Sequence, residues 1–218
     1  IAVVEDAAYQ TLRYDGEAIP PILALEIARR GSIEACRTLY CGSFSKSLAP
    51  GLRVGWICAA KEVISRLVLM KQAADLHSST ANQIVTEKVA TRIFSDHVAK
   101  LRQVYGARRD HMMAALSREM PVGVSWTKPE GGMFVMVDVR KTGLSGEAFA
   151  WKLLEEEGVV TMPGESFGAG LSGWLRLSLT QPDDRTTEAA NRIAAHAADI
   201  ARGLPGARAL DDAMGKAR

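Results

Sequence analysis

Apolar positions in this chain fall into two kinds of block, short dense runs and longer stretches at helical spacing. IAVVE (1–5) is a dense run rich in β-branched residues, the pattern of a buried parallel strand. RTLYCG (37–42) and RVGWICAA (53–60) read as two further strands. YDGEAIPP (14–21) is turn material, closed by Pro20 and Pro21. From Lys61 to Lys71, Val63, Ile64, Leu67, Val68 and Met70 recur at the spacing of a helix face. Thr80 to Met120 reads as mostly helical, with a break expected near Ser95–His97 or at Gly106.

The pattern changes after Pro121. GVSWTKPEGGMFVMVDV predicts two strands joined by a glycine-containing turn. Ser145 is placed to cap a helix that carries Phe149, Leu153 and Leu154 and stops at Gly158. VVTMPG and WLRLSLT are expected strands. Pro182, followed by Asp183 and Asp184, opens a last helix whose buried face carries Ala190, Ile193, Ala197 and Ile200. The elements predict an α/β chain: residues 1–80 as part of a parallel-sheet domain, 81–118 as linking helix, 119–203 as a small α+β domain, and 204–218 as a loosely held tail.

With 218 residues, 47% hydrophobic and 24% charged, the chain is long enough to bury a core. A formal net charge of +2 gives no electrostatic footprint for nucleic acid. No apolar run reaches the roughly eighteen residues of a membrane span. Three cysteines, Cys36, Cys41 and Cys58, at no metal-ligand spacing point to packing in a reducing compartment, and no metal site is expected. The sequence opens at Ile1 inside a strand-like run, so the chain is expected to be the C-terminal portion of a longer protein, with part of any site's wall elsewhere.

In open parallel sheets, ligands sit at the carboxyl ends of the strands. That rule puts Asp6, Tyr9, Ser43, Ser45, Lys46 and Arg53 on one rim. Hydroxyls and a guanidinium make a phosphate cradle, since Arg matches phosphate oxygens bidentately. Lys46 would stand beside the cradle as an amine. Read singly, each residue has a plainer use: Asp6 as a helix cap, the serines as turn hydroxyls, Arg53 in a surface ion pair.

Taken together, EDxxY at 5–9 and GSFSKSLAPGLRVGW at 42–56 resemble the fold-type I pyridoxal phosphate (PLP) aminotransferases, nearest the aminoadipate, kynurenine and aromatic branch. PEGGMF, MPGESF and WLRLSLT match in the same order, so the likeness runs from residue 1 to about 203 but leaves out the family's first half. The resemblance implies the PLP-dependent transferase fold and a large domain whose sheet is mostly parallel. It implies that Lys46 forms the Schiff base with PLP, that Asp6 pairs with the pyridinium nitrogen, and that Tyr9 donates to the ring oxygen. Ser43, Ser45 and Arg53 would hold the phosphate, and Arg176 the substrate α-carboxylate. It further implies amino acid and 2-oxo acid substrates, a cytoplasmic homodimer with shared sites, and a segment His77–Thr80 that lines the neighbour's site. The family's phosphate-loop glycine, ring-stacking aromatic and O3′ asparagine all belong to the missing half, so this polypeptide by itself is expected to catalyse weakly or not at all.

The same lysine and electron sink would also serve a lyase or synthase of this fold, or a non-catalytic effector domain of a transcription regulator. GAGLSG (168–173) satisfies G-x-G-x-x-G by letter. The dinucleotide fingerprint needs a strand before and a helix after it, whereas here a strand follows; it reads as a flexible turn leading to Arg176. His97, His111 and His196 are read as structural or solvated, and Glu155–Glu157 as a solvated helix end.

Overall fold

The computed structural model describes residues 1–201; the expected tail at 204–218 lies outside them. The chain divides into two compact units, Ile1–Gln103 and a second from Val104 onward. The division falls inside one long helix.

In the first unit a three-stranded sheet is ordered β1 (Val3–Asp6), β2 (Thr38–Ser43), β3 (Gly55–Cys58). β1 and β2 are parallel, with Asp6 opposite Cys41, and α1 (Ile22–Arg30) lies on the crossover between them. Two carboxylates fix that crossover. Glu5 on β1 accepts the Ile22 and Leu23 amides, two orphan donors at the start of α1. Glu26 on α1 accepts the Arg37 and Thr38 amides and the Thr38 hydroxyl. The Thr38 hydroxyl and these amides hold its carboxyl below the usual range against the opposing effect of burial.

Three details differ from the sequence pattern. β3 runs antiparallel to β2, because the connection between them is a direct turn rather than a helical crossover. β1 is an edge strand whose Val3 and Val4 are exposed, not buried. Cys58 is exposed as well, although Cys36 is buried; all three cysteines are free thiols.

α2 (Lys61–Asp75) and α3 (Thr80–Glu119) follow. α3 is one helix of 40 residues, unbroken at Ser95–His97 and at Gly106. A helical glycine costs only about 1 kcal/mol, which the surrounding turns absorb. None of the described helices is long and apolar enough to cross a membrane.

The second unit is an antiparallel sheet of β4 (Ser125–Trp126), β5 (Phe134–Asp138), β7 (Trp174–Ser178) and β6 (Met162–Pro163), in that spatial order. α4 (Gly146–Glu157) and α5 (Asp183–Ala201) complete it. Val135, Val137, Leu175 and Leu177 point inward against Phe149, Leu153, Leu116, Ile193 and Ala197. Phe134, Met136 and Arg176 alternate with them on the other face, as the strand period of two requires. Ser145 caps α4 by accepting the Ala148 amide at 3.1 Å, and Gly158 ends it in the left-handed region at φ 65°. Pro182 stands one residue before α5 rather than within it, and VVTMPG contributes only the two residues of β6.

Two structural histidines tie helices together. His111 on α3 lies 3.0 Å from the Asp183 carbonyl and 2.7 Å from the Thr187 hydroxyl. His196 on α5 is 2% exposed and meets Phe149 edge to face. Its Nδ1 is 3.3 Å from Glu156, which also pairs with the buried Lys152, so the acidic run at 155–157 is more than a solvated end. Burial pushes the His196 pKa down; Glu156 opposes this and Lys152 adds to it. The unfolded chain therefore takes up the proton first as pH falls, and stability should be lost as pH drops through about 6.5, the ordinary histidine value. Urea midpoints measured between pH 7.5 and 5.5 are expected to fall, and His196→Leu should flatten that dependence.

Candidate functional site

The carboxyl ends of β1 and β2 lie side by side, since Asp6 pairs with Cys41 and the Ala7 amide donates to the Cys41 carbonyl at 2.9 Å. Asp6 and Ser43 are the last residues of their strands. Because β3 is antiparallel, Arg53 precedes β3 at the same end of the sheet. The antiparallel turn thus serves the rim that the parallel rule predicted.

Backbone bonds fix the turn without using the Lys46 side chain. The Phe44 amide donates to the Val54 carbonyl, and the Leu48 and Ala49 amides donate to the Phe44 carbonyl. Ser43 Oγ accepts the Ser45 amide at 3.0 Å, and Arg53 Nη1 reaches Ser45 Oγ at 3.5 Å. The two hydroxyls and the guanidinium therefore form one contiguous set. Lys46 Nζ lies 5.8 Å from the centre of the Tyr9 ring. Among the described residues no carboxylate pairs with Lys46 or Arg53.

Several supports of this turn were not evident from the motif. Arg53 adopts φ 54°, ψ 40°, a left-handed conformation that a non-glycine residue rarely holds, and one that clusters at functional sites. The carbonyl before it, Leu52 O, is held at 3.1 Å by the Asn82 carboxamide from α3. Opposite Gly42 across the ladder, the Trp56 indole covers the glycine so closely that a Cβ there would lie 2.3 Å from the ring. The Trp56 ring lies tilted against Phe44 with centroids 4.7 Å apart, and Phe44 meets Phe94 edge-on at 5.9 Å. Only the glycine at 42 hinted at this packing.

The donor set suits a phosphorylated, carbonyl-bearing cofactor. Hydroxyls and a guanidinium match phosphate oxygens, a carboxylate at the end of β1 matches a protonated ring nitrogen, and the Lys46 amine lies 5.8 Å from the centre of the Tyr9 phenol ring. PLP has this combination of groups, and the residues present fit it.

Arg176 lies in the second unit, on β7. Its guanidinium carbon is 4.1 Å from the Phe134 ring centre and 4.2 Å from that of Phe167. The preceding GAGLSG segment is not a loose turn. Short 3₁₀ turns span Gly164–Phe167 and Ala169–Leu171. Glu165 Oε1 accepts the Gly146 amide, the Ser172 hydroxyl and the Gly173 amide at 2.9, 2.9 and 3.0 Å. Burial pushes the Glu165 carboxyl up, but these hydrogen bonds outweigh it and hold it below its usual range. His77 is exposed in the segment between α2 and α3, its Nδ1 against the Ser78 carbonyl.

The family model for aminotransferases of class I and II matches residues 1–193. The chain is 39% identical over 196 residues to aromatic-amino-acid aminotransferase 1 of Thermococcus litoralis, covering 88% of this chain and 45% of that protein. It is 42% identical over 185 residues to 2-aminoadipate transaminase of Thermus thermophilus, covering 84% and 45%. The structure aligns with α-aminoadipate aminotransferase LysN of Thermus thermophilus, complexed with N-(5′-phosphopyridoxyl)-L-leucine. The TM-score is 0.85 at 35% identity, over 94% of this chain and 52% of that one. The chain thus spans about half the length of the curated relatives it matches. By the family match and these identities, the chain belongs to the class I and II aminotransferases.

Proposed function

We propose that this chain carries the lysine-bearing half of a PLP-dependent aminotransferase, which moves an amino group between an L-amino acid and a 2-oxo acid. The observation that carries this reading is the lysine rim: an amine with no carboxylate partner among the described residues, beside a phenol ring and next to a linked serine–arginine set. Bound there, PLP supplies an electron sink for the bond broken at the substrate Cα. Lys46 would hold the cofactor at its aldehyde carbon and then move the proton at Cα. Asp6 would keep the proton on the ring nitrogen, and Tyr9 would donate to the ring oxygen. Ser43, Ser45 and Arg53 would bind the phosphate. Arg176 would orient the substrate by its α-carboxylate.

Residues 1–80 would then hold the cofactor groups and 119–203 the carboxylate group, with 81–118 joining them. The working protein would be a homodimer whose His77–Thr80 segment faces the neighbouring site. Three free thiols favour a reducing compartment such as the cytoplasm.

The test is a panel of donors on the full-length protein with PLP: L-leucine, L-tyrosine, L-2-aminoadipate, L-arginine and L-aspartate, each with 2-oxoglutarate. Glutamate formed in step with the donor's 2-oxo acid supports transfer. Ammonia release without glutamate would turn the reading to a lyase. Cofactor binding with no product from any donor would turn it to an effector domain. Replacing Asn82 by alanine frees the Leu52 carbonyl and loosens Arg53. The loss of one hydrogen bond of roughly 1 kcal/mol predicts a rise of about five- to tenfold in the PLP dissociation constant, read by fluorescence titration.

A further inference from the structure

We propose that Phe134 and Phe167 are positioning residues that hold the Arg176 guanidinium in place while leaving all its N–H donors for a carboxylate. The proposal rests on the carboxylate reading of Arg176 given above. Both rings lie within reach of a cation–π interaction, at 4.1 and 4.2 Å. A ring face restrains a guanidinium without accepting any of its five in-plane N–H groups.

The other arginines of the second unit make the contrast. Among its described residues, Arg108 donates to the Leu179 and Thr180 carbonyls, and Arg109 to Asp110 and the Pro129 carbonyl. Arg118 pairs with Glu119, and Arg185 and Arg192 both pair with Glu188. Arg140 also lies by an aromatic ring, Trp174 at 5.5 Å, yet it spends its fork on Asp138. Arg176 alone among them has aromatic neighbours and no oxygen partner.

The fold fixes both rings. Phe134 and Arg176 are diagonal neighbours on one face of the β5–β7 ladder, since Arg176 is opposite Met136. Phe167 comes from the 3₁₀ turn that Glu165 fastens to the start of α4 and to the start of β7. That turn keeps a phenylalanine 43% exposed, at a cost that burial elsewhere would have avoided.

The experiment compares single-turnover rates of the PLP-loaded full-length protein with L-leucine and with L-leucinamide, which lacks only the carboxylate. Phe134→Leu and Phe167→Leu are expected to lower the acid-to-amide rate ratio by about tenfold with little change in the amide rate. Phe167→Tyr, which keeps the ring, should restore the ratio. A ratio unchanged in both leucine variants, or a loss shared equally by acid and amide, overturns the proposal. Phe167→Leu alters an exposed side chain and decides the matter even if Phe134→Leu does not fold. A wild-type protein with no preference for the acid over the amide would overturn the carboxylate reading of Arg176 and this proposal with it, whereas a preference that survives the leucine variants overturns this proposal alone.

Discussion

Lys46→Ala is expected to lower amino-group transfer at least about a thousandfold and to abolish borohydride-dependent attachment of the cofactor to the peptide containing residue 46. Nothing structural among the described residues depends on the ammonium. The turn is held by the Phe44 amide on Val54, by the Leu48 and Ala49 amides on the Phe44 carbonyl, and by Ser47, whose hydroxyl reaches the Ser43 carbonyl at 3.4 Å. No carboxylate among the described residues pairs with Nζ, and the nearest aromatic ring, Tyr9, is 5.8 Å away at its centre. Removing the side chain therefore leaves no buried partner uncompensated, and the fold and its urea midpoint should stay within a few tenths of a kcal/mol of wild type. Phosphate-group affinity, which we propose that Ser43, Ser45 and Arg53 supply, should survive. Stability and phosphate binding retained with chemistry lost is the signature of a reacting group. A variant that kept transfer within tenfold of wild type would remove Lys46 from the chemistry and with it the reading of the rim.

Much of this architecture was legible because it rests on short-range physics. The alternation Val135, Val137, Val139 and Leu175, Leu177, Leu179 declared two half-buried strands, and Ser145 and Gly158 marked both ends of α4. The lysine rim was legible because strand ends in an α/β sheet define where polar side chains converge. Strand direction was not, because a period of two is the same in parallel and antiparallel ladders; β3 therefore reads identically either way. Side-chain clasps were hidden for another reason. Glu165 accepts from Gly146, nineteen residues earlier, and Asn82 donates to Leu52, thirty residues earlier. No local pattern carries such a pairing. Arg108 and Arg109, side by side on α3, look like one basic patch, yet they bind carbonyls at Leu179 and Pro129 on different segments. Arg176 was legible as a strand arginine with a motif match, but the rings that hold it come from two separate segments.

The largest stability effect is expected at Gly164. A Cβ added there would lie 2.2 Å from the Leu171 carbonyl oxygen, 2.8 Å from Trp174 Cβ and 3.0 Å from the Trp174 carbonyl oxygen. A long flexible side chain could swing away, but a carbonyl oxygen moves only with its peptide unit, so the 3₁₀ turn must shift as a whole. Glu165 is the next residue, and its three hydrogen bonds tie that turn to Gly146, Ser172 and Gly173. Gly164→Ala therefore combines overpacking, about 1–3 kcal/mol, with loss of at least one hydrogen bond to a charged acceptor, about 1.5–3 kcal/mol. A destabilisation of about 3 kcal/mol is expected in urea, with a fall of roughly 6–12 °C in Tm for a chain of this size. Gly170→Ala is the control, since a Cβ there meets nothing within 4 Å and the position should be near neutral. Phe167 belongs to the displaced turn, so the acid-to-amide preference should fall in Gly164→Ala along with stability and remain intact in Gly170→Ala. Equal urea midpoints for the two alanine variants would mean that the turn yields without cost, and that the Glu165 clasp does not fix the ring beside Arg176.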